Sequence, residues 1–158
     1  MNESILKVFP PLYLAGMKIS CWKCGERMPV VALIAPNIED MYSEEDGVDE
    51  REIFILSDVL TLPSNVLEYL QRRVPSFKLK YSKTVGAKYY ANTCPHCGML
   101  SGDFYLHSEP GAPFFPSDEE EASQLYITEV PLAEPVFIQA GLHAGTGELI
   151  VKHARKIA

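Results

Sequence analysis

The sequence predicts an α+β protein made mostly of antiparallel strands with two or three short helices. Short apolar runs of strand length, one segment with helical spacing, and frequent prolines and glycines between them indicate this class. The length of 158 residues favours one domain, with room for a small appended module. A hydrophobic fraction of 47% is enough for a packed core and argues against global disorder.

The strands of the first half are predicted from apolar runs. Residues 1–20 form an apolar lead-in to the first cysteine pair. Val30–Ala35 is a continuous apolar run, which is typical of a strand buried on both faces, and Ile53–Leu56 predicts a second short buried strand. The polar and acidic residues 39–50 between these runs predict an exposed loop.

The clearest helix signal begins at Ser64, which is predicted to cap the helix. Apolar side chains follow at helical spacing: Val66, Leu67, Leu70 and Val74. Pro75 ends the helix, because the residue before a proline is pushed out of the α region. Apolar side chains then alternate with lysine and serine over residues 77–82, which predicts a half-buried strand with its lysines facing solvent.

The second half is predicted to contain three strands, a loop and a helix. Asp103–Leu106 predicts the strand that returns from the second cysteine pair. The prolines and acidic run of residues 108–121 predict a loop that ends in a single helical turn. Leu125–Val130 and Val136–Ala140 predict two further strands, and Glu148–Ile157 predicts a short helix.

Charge is unevenly distributed along the chain. The formal net charge is −7, but residues 39–58 hold nine acids and one base, whereas residues 69–102 hold six bases and no acid. The six bases are Arg72, Arg73, Lys78, Lys80, Lys83 and Lys88. This segregation predicts solvated faces of opposite sign, an acidic arm that folds onto a basic face, or two surfaces for two partners.

All four cysteines lie in two CxxCG motifs, Cys21–Gly25 and Cys94–Gly98. Two residues between the thiolates let one tight turn present both sulfurs to one metal, and the following glycine can adopt positive φ. Four thiolates complete a tetrahedral shell, which defines a structural site rather than a catalytic one. The motifs therefore predict one structural Zn²⁺, with iron as the competing metal. The predicted ligands are Cys21, Cys24, Cys94 and Cys97.

Redox CxxC motifs or buried free thiols are the alternative reading of these cysteines. A redox motif is expected at a strand-to-helix turn, whereas both pairs here lie in glycine-bounded turns between strand-like runs. The alternative is therefore the less favoured one.

The two motifs resemble the knuckles of a zinc ribbon, in which cysteine pairs lie in hairpin turns. Residues 89–98, together with Gly102–His107, also resemble bacterial proteins of similar size that have no assigned role, so this second resemblance implies no activity.

The spacing between the knuckles departs from that of a compact ribbon. A compact ribbon has roughly 15 to 20 residues between its pairs, whereas residues 25–93 intervene here. These residues contain their own predicted strands and helix, so they are predicted to be a folded insertion. We therefore expect a zinc-ribbon domain at 1–110 with an insertion at 37–80, followed by a C-terminal strand–strand–helix segment at 111–158 packed on the same domain.

Other side chains give weaker signals of chemistry. His96 lies inside the second knuckle, where four cysteines already complete the shell. Asp103, His107 and Glu109 form a loose polar group that is a candidate second metal or acid–base site, although such residues are more often strand-end and loop groups. The sequence contains no GxSxG, HExxH or P-loop motif, so it predicts no enzyme.

Two functional classes remain. In the first, the chain is a non-catalytic protein-interaction module (an adaptor, regulator or inhibitor) whose acidic segments 39–52 and 118–121 engage a basic protein partner. In the second, it binds nucleic acid through the basic stretch 72–88. The aromatic side chains available to stack on bases are Trp22, Tyr81, Tyr89 and Tyr90. The net negative charge opposes the approach of a polyanion and favours the first class.

The sequence predicts a cytoplasmic protein without membrane contact. No apolar run approaches the roughly 18 to 20 residues needed to span a bilayer. The N-terminus lacks a basic region ahead of an apolar core and does not resemble a signal peptide. Two tight cysteine pairs without a secretion signal favour metal ligands over a disulfide framework. No pattern predicts the oligomeric state.

Overall fold

Eleven strands and four short helices make up the described part of the chain. The structure is a computed structural model, and it describes residues 4–41, 52–83, 86–144 and 146–157. The strands are β1 (Ser4–Val8), β2 (Leu12–Ser20), β3 (Arg27–Ala35), β4 (Ile38–Asp40), β5 (Phe54–Thr61), β6 (Phe77–Ser82), β7 (Ala87–Thr93), β8 (Leu100–Ser101), β9 (Tyr126–Val130), β10 (Val136–His143) and β11 (Arg155–Lys156). The helices are α1 (Ser64–Arg73), α2 (Asp103–Ser108), α3 (Glu119–Ala122) and α4 (Gly147–His153).

Eight strands form a main sheet in the order β11–β9–β2–β3–β5–β10–β1–β4. The pairings are antiparallel except that of β11 with β9. A three-stranded branch, β6–β7–β8, joins the main sheet at β5 through the pairing of Val59 with Tyr90. The first knuckle is the turn between β2 and β3, and the second is the turn between β7 and β8. One knuckle therefore belongs to the main sheet and the other to the branch.

Strand β3 lies inside the main sheet and separates two apolar cores. All residues from Val30 to Ala35 are buried. Because successive side chains of a strand point to opposite faces, the odd-numbered residues of this run pack in one cluster with α1. The even-numbered residues pack in a second cluster with α2, α4, Cys21 and Cys94. The strand is thus buried on both faces, as the continuous apolar run predicts.

The predicted α+β class and the mostly antiparallel pairing are confirmed. Helix α1 ends at Arg73, before Pro75 as predicted, and buries Val66 and Leu70. The prediction that Ser64 caps this helix is wrong. Pro63 occupies the cap position with extended backbone angles, and Ser64 is the first helical residue.

The predicted strand at Asp103–Leu106 is wrong, because these residues begin α2. Asp103, Leu106 and His107 are buried, whereas Tyr105 is 52% exposed. Spacings of three and four place the buried residues on one face of a helix. This helix, packed against β5, brings the number of helices to four rather than two or three.

Both ends of the chain also differ from their predictions. The lead-in at residues 1–20 contains two strands, β1 and β2. The predicted helix at 148–157 ends at His153, after which Arg155–Lys156 pair in parallel with β9. The N–H of Arg155 donates to the carbonyl of Leu125 at 2.9 Å, so a backbone ladder replaces the last helical turn.

The predicted acidic loop at 39–50 falls mainly outside the described residues, and only its first three residues are described. The division into a domain at 1–110, an insertion at 37–80 and a segment at 111–158 stays a prediction. Strands from both sides of residue 110 pair with each other, β9 with β2 and β10 with β5 and β1. None of the helices in the described ranges has the length and apolar character to cross a membrane.

Candidate metal centre

Each knuckle is a tight turn closed by the same two backbone hydrogen bonds. In the first, the N–H of Cys21 donates to the carbonyl of Glu26 at 2.8 Å, and the N–H of Gly25 donates to the carbonyl of Cys21 at 3.0 Å. In the second, the N–H groups of Cys94 and Gly98 make the corresponding bonds at 2.9 and 2.8 Å. Both glycines have a φ of +77°, which residues with a side chain rarely adopt. The CxxCG spacing therefore folds twice into the same turn.

These turns bring the four sulfurs into one cluster. The Sγ atoms of Cys21, Cys24, Cys94 and Cys97 all lie within 4.8 Å of one another. Two pairs cross between the knuckles, Cys21 with Cys97 and Cys24 with Cys94, each at 3.7 Å. A tetrahedral ion with metal–sulfur bonds of about 2.3 Å holds its sulfurs about 3.8 Å apart, whereas a disulfide joins them at about 2.05 Å. The cluster has the dimensions of a four-thiolate metal shell.

The electrostatics of the cluster favour a bound cation. The backbone N–H groups of Cys24 and Lys23 lower the pKa of the Cys21 thiol to about 6, which prepares this sulfur to act as a thiolate ligand. At Cys24 the N–H of Glu26 lowers the pKa, but desolvation and the neighbouring sulfurs outweigh it and raise the pKa to about 12. At Cys24 the neighbouring sulfurs therefore oppose ionisation, and a divalent cation bound between the sulfurs would remove that opposition.

Two side chains hold the second knuckle from outside. The Nζ of Lys80 on β6 donates to the carbonyl of Gly98 at 2.8 Å. The Nε1 of Trp22 donates to the carbonyl of Leu100 at 3.0 Å, so the first knuckle is joined directly to the strand that follows the second. Neither contact could be predicted from the sequence. The pattern around Lys80 indicates only an alternating strand and that around Trp22 only a turn, and neither pattern identifies a hydrogen-bond partner elsewhere in the chain.

Asn92 fastens the branch to the main sheet beside the second knuckle. Its Oδ1 accepts a hydrogen bond from the N–H of Val31 at 2.8 Å, and its Nδ2 donates to the carbonyl of Val31 at 3.0 Å. Strand β5 pairs with β3 only at Leu33–Ala35, so it does not reach Val31. Asn92 is 1% exposed. Its side-chain amide makes the two hydrogen bonds to Val31 that the backbone of a neighbouring strand would otherwise make.

Comparisons with known proteins supply no relative. No family model, curated protein or solved structure matches the chain. The assignment to the zinc ribbons and the resemblance to bacterial proteins therefore stay predictions, which rest on the knuckle residues.

The six bases predicted to contact nucleic acid have different surroundings. Lys80 is half-buried on the second knuckle, and the guanidinium of Arg73 lies 5.0 Å from the centre of the Tyr69 ring. Arg73 is exposed, and so are the remaining four: Arg72, Lys78, Lys83 and Lys88.

The aromatic residues considered for stacking on bases also differ in exposure. Tyr89 is 1% exposed, and Tyr90 is half-buried with its ring centroid 6.3 Å from that of Phe77. Trp22 and Tyr81 are exposed. Nucleic-acid binding by the basic stretch stays a prediction.

A buried polar cluster lies where α2 packs on β5. Asp103 and His107 are 6% and 3% exposed, and the Nε2 of His107 lies 3.9 Å from the Oδ2 of Asp103. The same Oδ2 accepts the N–H of Asp58 at 2.7 Å, and the N–H of Asp103 donates to the hydroxyl of Tyr89 at 3.2 Å. Asp58 has a φ of +47° where the register of β5 with β10 shifts. Asp103 therefore secures β5 at the point where its register with β10 shifts.

This cluster does not have the composition of the second metal or acid–base site considered for Asp103, His107 and Glu109. Glu109 is exposed after the last residue of α2, and in the described ranges the four cysteines are the only group that could hold a metal ion. His143, at the end of β10, faces His107 instead, with ring centroids 5.7 Å apart. No described residue offers a hydrogen-bond partner to the buried Nδ1 of His107.

Burial favours the uncharged forms of both Asp103 and His107. Desolvation raises the pKa of Asp103 to about 7, and desolvation together with His143 lowers the pKa of His107 to about 3. The contribution of Asp103 to stability is therefore full below its ordinary pKa and lost as the pH rises through 7. The contribution of His107 is full above its ordinary pKa and lost as the pH falls through 3. Between about pH 4 and 6.5, Asp103 makes the unfolding free energy fall with pH and His107 makes it rise, so the two slopes cancel.

Replacing either partner should reveal one of these slopes. Relative to the parent chain, we expect His107→Phe to lose about 1.4 kcal/mol of unfolding free energy per pH unit as the pH rises from about 5 to about 6.5. Asp103→Asn should gain a similar amount over the same range. Denaturant unfolding of the metal-loaded proteins at several pH values measures both differences. Differences that stay constant with pH would show that the pair is not neutral.

Proposed function

We propose that the chain is a structural zinc protein of the zinc-ribbon type, in which one Zn²⁺ holds two β-hairpins together. The observation that carries this proposal is the spacing of the four Sγ atoms, all within 4.8 Å and at 3.7 Å across the two knuckles. The position of each knuckle at the turn of an antiparallel hairpin supports the ribbon type. A four-sulfur shell is typical of structural zinc sites.

The proposed role is binding rather than catalysis. A metal with four protein ligands has no open position for a substrate, so it stabilises the fold instead of taking part in chemistry. Exposed apolar side chains lie on the elements that carry or contact the knuckles: Trp22 at 63%, Leu79 at 48% and Tyr81 at 55%. Exposed apolar surface is a common sign of a protein-interaction site. We infer an adaptor, regulator or inhibitor that acts through a protein partner.

The test is the metal content of the chain purified without added metal. We expect one zinc per chain by native mass spectrometry, and its loss when any one of the four cysteines is replaced by serine. His96→Ala is the matched control, because His96 lies in the second knuckle but outside the proposed shell. Iron without zinc would change the assigned metal. Neither metal, or loss of zinc in the His96 variant, would overturn the proposed four-cysteine zinc site.

A further inference from the structure

Among the described residues, the outer edge of β6 has no neighbouring strand. Every residue from Phe77 to Ser82 pairs with β7. Tyr90 of β7 pairs with both Leu79 and Val59, and Asn92 pairs with both Phe77 and Ser101, so β5 and β8 lie on the opposite edge of β7. No described strand therefore covers the outer edge of β6. Such an edge presents backbone donors and acceptors to which another extended segment can add.

At Phe77 this edge is bonded to α1 and its C-cap. The N–H of Phe77 donates to the carbonyl of Val74 at 3.0 Å, and the carbonyl of Phe77 accepts from the Nε2 of Gln71 at 3.4 Å. The edge available to another strand therefore begins at Leu79.

One face of this edge is unexpectedly apolar. The half-buried pattern predicted for β6 is wrong for two of its three apolar residues. Phe77 is 5% exposed, but Leu79 and Tyr81 are 48% and 55% exposed. Lys88 lies opposite Tyr81 on β7 and shares this face, because directly paired residues of antiparallel strands point to the same side.

The other face of β6 is basic. Lys78 and Lys80 alternate with the apolar residues and therefore share this second face. Lys78 is exposed, whereas Lys80 is held by the carbonyl of Gly98. This bond ties the edge strand to the second knuckle, so the metal centre helps to position the edge.

Charge distinguishes between the segments that could add to this edge. Residues 69–102 contain no acid, so a second copy of β6 would bring lysines against lysines. Like charges on neighbouring strands are destabilising. A segment in which acidic and apolar residues alternate matches both faces, because its side chains also point alternately to the two sides.

We propose that the outer edge of β6 binds an extended acidic segment of a partner protein as an added antiparallel strand. Its apolar side chains pack beside Leu79 and Tyr81 on one face, and its carboxylates lie near Lys78 on the other face. This inference rests on the proposed protein-binding role and names the surface and the chemistry of the partner.

The test uses a fluorescent synthetic peptide of about eight residues in which glutamate alternates with valine, a length typical of strands. We expect it to bind the full zinc-loaded chain in an anisotropy titration, with an affinity that falls as salt is added. Amide hydrogen exchange of β6 should slow in the complex. The same peptide methylated at every second backbone nitrogen keeps its charge but cannot complete a strand ladder, and it should not bind.

Two pairs of variants separate the contributions of charge and apolar contact. Lys78→Glu should weaken peptide binding by roughly tenfold. Lys152→Glu, an equal charge change at an exposed position of α4, should have no effect. Tyr81→Thr should also weaken binding. Phe137→Thr, which removes a similarly exposed ring from β10, should not.

Each contrary result identifies what is wrong. Equal binding of the methylated peptide excludes strand addition. If a single-stranded oligonucleotide binds through Lys78 and the peptide does not bind, the ligand of this edge is nucleic acid rather than an acidic segment. If the protein self-associates through β6, the ligand is a second copy of the chain. Zinc and iron are measured in the same samples. Zinc-loaded protein that does not bind the peptide overturns this inference alone, whereas protein with neither zinc nor iron overturns the proposed metal centre.

Discussion

Removal of the proposed Zn²⁺ should unfold the protein. The two knuckles connect the main sheet with the branch, and Cys21 and Cys94 are part of the second apolar core. Zinc binding contributes on the order of 10 kcal/mol in small zinc peptides, which is comparable to the whole net stability of about 5–15 kcal/mol of a typical domain. We therefore expect a strong chelator to abolish the cooperative thermal transition or to cause aggregation. Far-UV circular dichroism measures this, and fluorescence of Trp22, the single tryptophan, reports separately on the first knuckle.

Serine variants distinguish loss of the metal from loss of packing. Cys21 and Cys94 are buried, whereas Cys24 and Cys97 are exposed. If the metal is the cause, Cys24→Ser and Cys97→Ser should destabilise the fold about as strongly as the two buried replacements. Zinc added after chelation should restore the parent chain but none of the variants. A thermal transition that is unchanged in the zinc-free parent chain would refute the expectation.

Replacing Asn92 should produce the second large effect. In Asn92→Leu the N–H and carbonyl of Val31 both lose their side-chain partner in a buried position. Each buried polar group left without a hydrogen bond costs about 1–3 kcal/mol, so the expected loss of unfolding free energy is about 2–6 kcal/mol. The midpoint of denaturant unfolding measures this loss.

Asn65→Leu is the matched control, because Asn65 is exposed on α1. Such a surface replacement should change stability by no more than about 0.5 kcal/mol. Zinc content is determined for both variants, since Asn92 lies two residues before Cys94. Asn92→Leu protein that keeps its zinc and the midpoint of the parent chain would contradict the role assigned to this amide.

The local patterns predicted the elements whose signals lie within a few residues. The run Val30–Ala35 is buried on both faces because it lies between two apolar clusters, and α1 ends before Pro75 as the backbone of a pre-proline residue requires. The strand predicted at Asp103–Leu106 is wrong because so short a segment fits a strand or a helix equally well. The packing of α2 against β5, which decides between them, cannot be read from these residues.

The exposure of the side chains of β6 also could not be predicted from the residues of the strand alone. Alternation placed Lys78 and Lys80 together on one face, but it could not show which face meets solvent. In the folded chain Lys80 bends to Gly98, whereas Leu79 and Tyr81 remain exposed. The covering of a strand depends on its neighbours, and β6 has a described neighbour only on the side of β7.

The chemistry of the candidate metal centre follows from ten residues alone, because the CxxCG spacing specifies a turn and its two sulfurs wherever it occurs. The meeting of the two turns does not follow from those residues. It requires the branch to join the main sheet through β5 and through the bonds of Asn92 to Val31, contacts between residues far apart in sequence. Only the tertiary structure could decide these contacts, because each depends on where distant strands lie, and together they turn two separate motifs into one four-sulfur cluster.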